Sequence, residues 1–183
     1  MKQVYIYIMD TMADWQYAYL LPLLNNDSFY KVDHDKIELK MVDADNRPIK
    51  TAGGLKIIPD CTVAEIDISA DTVLLLAGAD TWPDKKHKAI LSLTEKVLLE
   101  NGTVVSMCAS VGALNSIGIL KTRKHTSNAL DFLKLVSDQY VSESNYLDQP
   151  LVVDGNLITA SATSALLVAY TLVAKFNIID PDI

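Results

Sequence analysis

The chain has 183 residues, half of them hydrophobic and 21% charged, the balance of an ordinary globular chain and not of a disordered or fibrous one. That length suits one domain, residues 1–183, around one core. Asp and Glu number 23 against 16 Lys and Arg, giving a net charge of −7. With no basic cluster, nucleic acid and anionic membrane surfaces are not expected partners, because both demand grouped Lys and Arg.

The opening MKQVYIYIMD carries one lysine and an apolar run that stops at Asp10, with no small-residue cleavage site behind it. Val4 to Met9 therefore reads as a first strand and not as a leader peptide. No stretch of about 18 apolar residues follows, so no membrane span is expected. Without an export signal the expected compartment is reducing and cytoplasmic, and Cys61 and Cys108 are expected as free thiols.

Asp14 to Leu24 has helical spacing, with Trp15, Ala18, Tyr19 and Pro22 on related faces. Ile37 to Val42 alternates as a second strand. Pro48 to Pro59 places Gly53-Gly54 between short β-prone pieces, the pattern of a hairpin. Thr72 to Leu76 is another buried strand, running into Ala77-Gly78-Ala79-Asp80. Pro83 then opens a helix that turns Ile90, Leu91, Leu93, Val97 and Leu98 inward and closes at Asn101-Gly102. Asp80 is placed to cap that helix.

Thr103 to Met107 is another buried strand, followed directly by the small-residue helical run CASVGALNSIGIL. Ser127 or Asn128 is placed to cap a helix from Ala129 to Val136. A hairpin from Leu151 to Thr159 turns on Asp154-Gly155-Asn156, and Ser161 to Phe176 closes the chain as an amphipathic helix. Strands alternating with crossover helices predict an α/β fold with a mostly parallel sheet covered on both faces. In such sheets ligands sit beyond the carboxyl ends of the strands, where the loops after Met9, Leu76 and Met107 meet.

Cys108 falls at the strand-to-helix junction, where a tight turn lifts a side chain off the sheet as a nucleophile elbow does. Ala109, Ser110 and Gly112 supply the small neighbours that such a turn needs. A helix N-terminus behind the sulfur favours negative charge. Oxyanion donors would come from the backbone N–H of Ala109 and from the Gly78-Ala79 turn. The plainer reading is a small buried hydrophobe, since free cysteine is among the most buried residue types. Cys61 matches no motif and reads as structural. His34, between Asp33 and Asp35, and His87, beside lysines, read as surface residues. His125 is the histidine nearest the elbow segment and the one candidate base among the three, although hydrogen-bond reach to the sulfur is required of it. Trp15 and Trp82 suit a pocket wall, the core or an interface.

Four segments in order resemble the PfpI-type intracellular protease/amidase family of the class I glutamine-amidotransferase-like superfamily. They are VYIYIMDTMADWQYAYL, VLLLAGADTW, VVSMCASVGALNSIGILKTRKHTSN and VVDGNLITASATSAL, and together they span nearly the whole chain. The resemblance implies a flavodoxin-like three-layer sandwich with Cys108 as the nucleophile. It also implies a homodimer or larger homo-oligomer, a small-molecule or peptide substrate, and no cofactor or metal. Where relatives usually carry a Glu in the first loop this chain has Gln16, with Asp14 as the nearby carboxylate substitute. Where many carry a His after the elbow helix it has Asn128. Glutamine and asparagine form hydrogen bonds but take no proton. Two functions remain: a cysteine-dependent hydrolase or amidase acting on an amide or reactive carbonyl, with dicarbonyls in some branches, or a non-catalytic stress-response or redox-sensing protein that retains the elbow thiol.

Overall fold

A computed structural model describes residues 1–26, 30 and 36–177. A seven-stranded sheet runs in the order β5-β2-β1-β6-β7-β9-β8. Its strands are β1 (Lys2–Tyr7), β2 (Ile37–Asp43), β5 (Cys61–Thr62), β6 (Thr72–Leu76), β7 (Thr103–Met107), β8 (Leu151–Asp154) and β9 (Leu157–Ala160). Every pairing is parallel except that of β8 with β9. The central β6 and β7 are buried at every residue, as strands covered on both faces must be. A small antiparallel pair, β3 (Ile49–Lys50) and β4 (Lys56–Ile57), forms the hairpin read around Gly53-Gly54.

Among the described residues five α-helices flank the sheet: α1 (Leu20–Asn25), α2 (Lys88–Leu99), α3 (Ala109–Asn115), α4 (Leu130–Val136) and α5 (Ala165–Phe176). The result is the flavodoxin-like α/β arrangement. Helix α2 packs on β6 and β7, α3 packs on α4, and α1 meets α5. Because β1 has β2 on one side and β6 on the other, the chain order reverses there, and the loops after β1 and β6 meet beyond the strand ends, joined by the Ala13 N–H to Gly78 O and the Asp80 N–H to Thr11 Oγ1. Among the described residues no helix is long and apolar enough to cross a membrane.

Three expected helices begin differently. Residues 14–24 do not form one helix: a 3-10 turn at Asp14–Gln16 is followed by α1 from Leu20. A continuous helix would place Pro22 in its interior against the Ala18 carbonyl, whereas restarting at Leu20 leaves that proline in a first turn, where it is tolerated. The Ala13 N–H is also committed elsewhere, to Gly78 O at 2.8 Å. The helix expected from Pro83 begins at Lys88, after a 3-10 turn at Lys85–His87. Residues 81 and 82 are drawn inward instead: Thr81 Oγ1 donates to Asp10 O and Trp82 Nε1 donates to Ala77 O. Asp80 caps nothing; its backbone N–H donates to Thr11 Oγ1 at 2.9 Å. Ser127 and Asn128 do not cap α4 either, since both turn toward Cys108. Helix α5 starts at Ala165 because Ser161 and Ser164 are held in a hydroxyl-paired turn at 2.7 Å. The two-residue strand β5 is too short for periodicity to reveal.

The junction of β6, β7 and α3 is pinned by one buried hydroxyl. Ser110 Oγ lies 2.8 Å from Leu76 O, Met107 O and the Met107 nitrogen, and 2.7 Å from Ser106 Oγ. It accepts the Met107 N–H and donates its single proton to one of the carbonyls. Replacing it strands a buried donor and carbonyls at the root of the elbow. Ser110→Ala is therefore expected to lower unfolding free energy in guanidinium by about 1–3 kcal/mol. A loss under about 0.5 kcal/mol, the range of surface substitutions, would contradict this account of the pin.

Candidate active site

Cys108 follows β7 directly, with φ 59° and ψ −127°, a conformation that costs a non-glycine residue about 1–3 kcal/mol and persists only where its surroundings enforce it. They do. The Cys108 N–H donates to Ala160 O at 3.0 Å, and Ser127 Oγ donates to Cys108 O at 2.9 Å. The half-buried sulfur accepts a hydrogen bond from Asn128 Nδ2 at 3.1 Å. Asn128 Oδ1 in turn accepts the Ala162 N–H at 2.8 Å.

Gly78 forms the floor. A methyl group there would lie 2.8 Å from Cys108 Cβ, 3.0 Å from Sγ and 3.2 Å from Gln16 Nε2, so only glycine lets the β6 turn approach the thiol this closely. Gln16 is fully buried, and its Oε1 accepts the Gly78 N–H at 2.8 Å. Its Nε2 has no hydrogen-bond partner among the described residues. The structure thus brings Cys108, Gln16, Asn128 and Gly78 together, as their motif positions implied.

Other expected residues are placed elsewhere. The Gly78 N–H is taken by Gln16 and is not free for an oxyanion. Asp14 does not substitute for a carboxylate at sulfur: its Oδ2 accepts from Thr51 Oγ1 at 2.6 Å and from the Gly53 N–H at 3.1 Å, tying the first loop to the β3-β4 hairpin. His125 is buried away from the thiol, with Nδ1 2.8 Å from Arg123 O and Nε2 2.6 Å from Tyr140 Oη. It is a structural histidine. His87 is fully buried and not a surface residue; its Nδ1 lies 2.7 Å from Tyr7 Oη, and its ring packs edge-on to Tyr7 and against Trp82. Its lysine neighbours disguised it. His34 lies outside the described residues. Trp82 is core, whereas Trp15 is half exposed and donates through Nε1 to Ala162 O at 3.1 Å. Cys61 is buried in β5, and burial, followed by the nearby Glu65 charge, pushes its thiol pKa up. Among the described residues no group of three or more His, Cys, Asp and Glu side chains is placed to hold a metal ion.

Sequence reasoning missed Ser127, which holds the strained carbonyl, and Ala162, whose backbone orients Asn128. Neither role leaves a signal in side-chain chemistry. The buried histidines have a measurable consequence. Burial lowers the pKa of both His87 and His125, with Lys86 adding to the effect at His87 and Lys124 at His125. A histidine depressed in the folded state binds its proton more readily when unfolded, so the unfolded chain gains protons first as pH falls through about 6.5. Unfolding free energy is therefore expected to rise with pH between 5.5 and 7.5, and to rise less steeply in His87→Phe. A flat profile for the parent protein would contradict the placement of both rings.

The DJ-1/PfpI family pattern matches residues 2–175. A Bacillus subtilis (strain 168) protein named as an uncharacterized protease, YoaZ, is 34% identical over 181 residues, 99% of this chain and 86% of its own. A solved thiJ/pfpI family protein from Bacillus anthracis superposes with TM-score 0.92 at 36% identity, over 99% of this chain and 85% of that one. A solved DJ-1 superfamily protein from Agrobacterium tumefaciens superposes with TM-score 0.83 at 25% identity, over 100% and 93%. With its elbow cysteine in place and this likeness running from end to end, the chain belongs to the DJ-1/PfpI family.

Proposed function

We propose that this protein is a cysteine-dependent enzyme in which Cys108 attacks a reactive carbonyl. The observation that supports this reading is the sulfur's polar partner, an amide donor: Asn128 Nδ2, fixed by the Ala162 N–H. An amide N–H solvates negative charge on sulfur, or on an oxygen joined to it, but accepts no proton. In the proposed step a sulfur electron pair forms the S–C bond and the carbonyl π pair moves to oxygen. The thiol proton leaves to water, and the N–H groups of Ala79 and Ala109 receive the new oxyanion. With a dicarbonyl, water then carries the adduct's C–H proton to the neighbouring carbon, which gives the Cys108 thioester of a 2-hydroxy acid, and a second water hydrolyses that thioester, releasing the acid and restoring the thiol.

Amide cleavage asks for more, because the departing nitrogen must be protonated and no acid touches Cys108 among the described residues. An aldehyde-like carbonyl has no such leaving group. This favours the carbonyl over the amide, although the name of the Bacillus subtilis relative keeps peptides in the test. Wild-type protein is expected to consume small dicarbonyls, and Cys108→Ser to abolish that turnover while melting within a few degrees of the parent. Peptide amides are expected to be cleaved no faster by the wild type than by the variant. Turnover of dicarbonyls retained in Cys108→Ser would overturn the proposal.

A second reading has its own support in the Gln16 amide, a buried donor beside the sulfur with no acceptor among the described residues. A redox-sensing protein would use that donor once oxygen is added to the thiol. Dilute peroxide would then oxidise Cys108 before the buried Cys61, by peptide mass, in a protein that turns over no carbonyl. Equal oxidation of the two thiols counts against it.

A further inference from the structure

We infer that Trp15 is a positioning residue for Asn128, acting through the backbone of Ala162, and that this link decides which end of the Asn128 amide meets Cys108.

An asparagine amide has an accepting and a donating end of nearly equal size, so shape alone does not choose between its two orientations. Turned one way it donates to the sulfur; turned the other, its oxygen faces the sulfur's lone pairs. The choice is made by the Ala162 N–H, which can only donate and so captures Oδ1 at 2.8 Å. Nδ2 is then left to reach Sγ at 3.1 Å.

Ala162 lies in the turn between β9 and α5 and is gripped on both sides. Asn128 holds its N–H, and Trp15 Nε1 holds its carbonyl at 3.1 Å. Those contacts involve the two peptide planes flanking one Cα, so together they restrain the rotation that aims the N–H at Asn128. Core packing does not explain the indole, which is 50% exposed. What it contributes is the polar tip.

The adjacent residue completes a ring around the thiol. Gln16 reaches the Gly78 N–H beneath the sulfur, Gly78 packs against Cys108, Cys108 accepts from Asn128, Asn128 accepts from Ala162, and Ala162 accepts from Trp15. Two consecutive residues of the first loop thus grip both flanks of the elbow. The first helical turn is broken into a 3-10 segment at this very point, which lets Trp15 and Gln16 point in different directions.

Trp15→Phe keeps the ring and removes the N–H. The Asn128 side-chain amide pair, assigned in a nitrogen–proton correlation spectrum by its loss in Asn128→Ala, reads the link directly. In Trp15→Phe both amide protons are expected to shift and to exchange with solvent faster, while the melting temperature changes little. The catalytic weight of the link rests on the proposed role of Cys108, and iodoacetamide alkylation of that thiol measures it. Alkylation should slow about fivefold in Trp15→Phe, the worth of one neutral hydrogen bond, and should slow no further when that change is added to Asn128→Ala. An unchanged Asn128 amide pair in Trp15→Phe, or effects on alkylation that multiply, would overturn the inference. Absence of carbonyl turnover in the wild type would remove the proposed reaction and leave the amide resonances to decide the role of Trp15.

Discussion

At Cys108 the backbone turns through φ 59° and ψ −127°, where a side chain is held only under constraint, and the arrangement of the site follows from what supplies that constraint. Bonds from three directions do so: Ala160 on β9 receives the cysteine N–H, Ser127 caps its carbonyl, and Ser110 pins the preceding strand to the following helix and to the end of β6. Each belongs to a different segment. The sheet order β6-β7-β9 is what makes them neighbours, so the elbow exists only in the assembled fold. Strain of about 1–3 kcal/mol is small against the burial of two fully covered central strands.

The same constraint sets the chemistry. With the sulfur lifted off the end of the sheet, side chains from the first loop and from the segment after α3 close on it, and both bring amides. Gln16 turns its oxygen to the Gly78 N–H and leaves its nitrogen buried beside the thiol, while Asn128 turns its oxygen to Ala162 and its nitrogen to the sulfur. In each case a backbone N–H captures the accepting end. The donors are aimed by backbone geometry and not by a neighbouring charge. Such a site can shelter an anion on sulfur or on an attached oxygen, and it moves protons only through water.

Much of this was legible in the residues themselves. The runs Thr72 to Leu76 and Thr103 to Met107 are mostly apolar and β-branched or aliphatic, of strand length and bounded by turn residues, the pattern of parallel strands buried on both faces, so the sheet interior and the elbow position could be read directly. Gln16 and Asn128 were located by their motif positions. Their orientation was not, because it depends on the Gly78 and Ala162 amides far away in sequence. His87 was misread because Lys85, Lys86 and Lys88 surround it; the pull of Tyr7 and Trp82 that buries it is a tertiary effect. Asp14 looked available to the thiol until the hairpin at Thr51 and Gly53 claimed it. The helix through residues 14–24 failed on a local rule, Pro22, that its hydrophobic spacing concealed.

The central claim is that hydrogen-bond donation, and not a base, prepares the Cys108 sulfur. Asn128→Asp tests it most directly, because it keeps the shape of the side chain and exchanges a donor for a carboxylate. The account predicts that iodoacetamide alkylates Cys108 about tenfold more slowly in Asn128→Asp at neutral pH, since the carboxylate repels the thiolate that the amide would solvate. An unchanged or faster rate in that variant would contradict it.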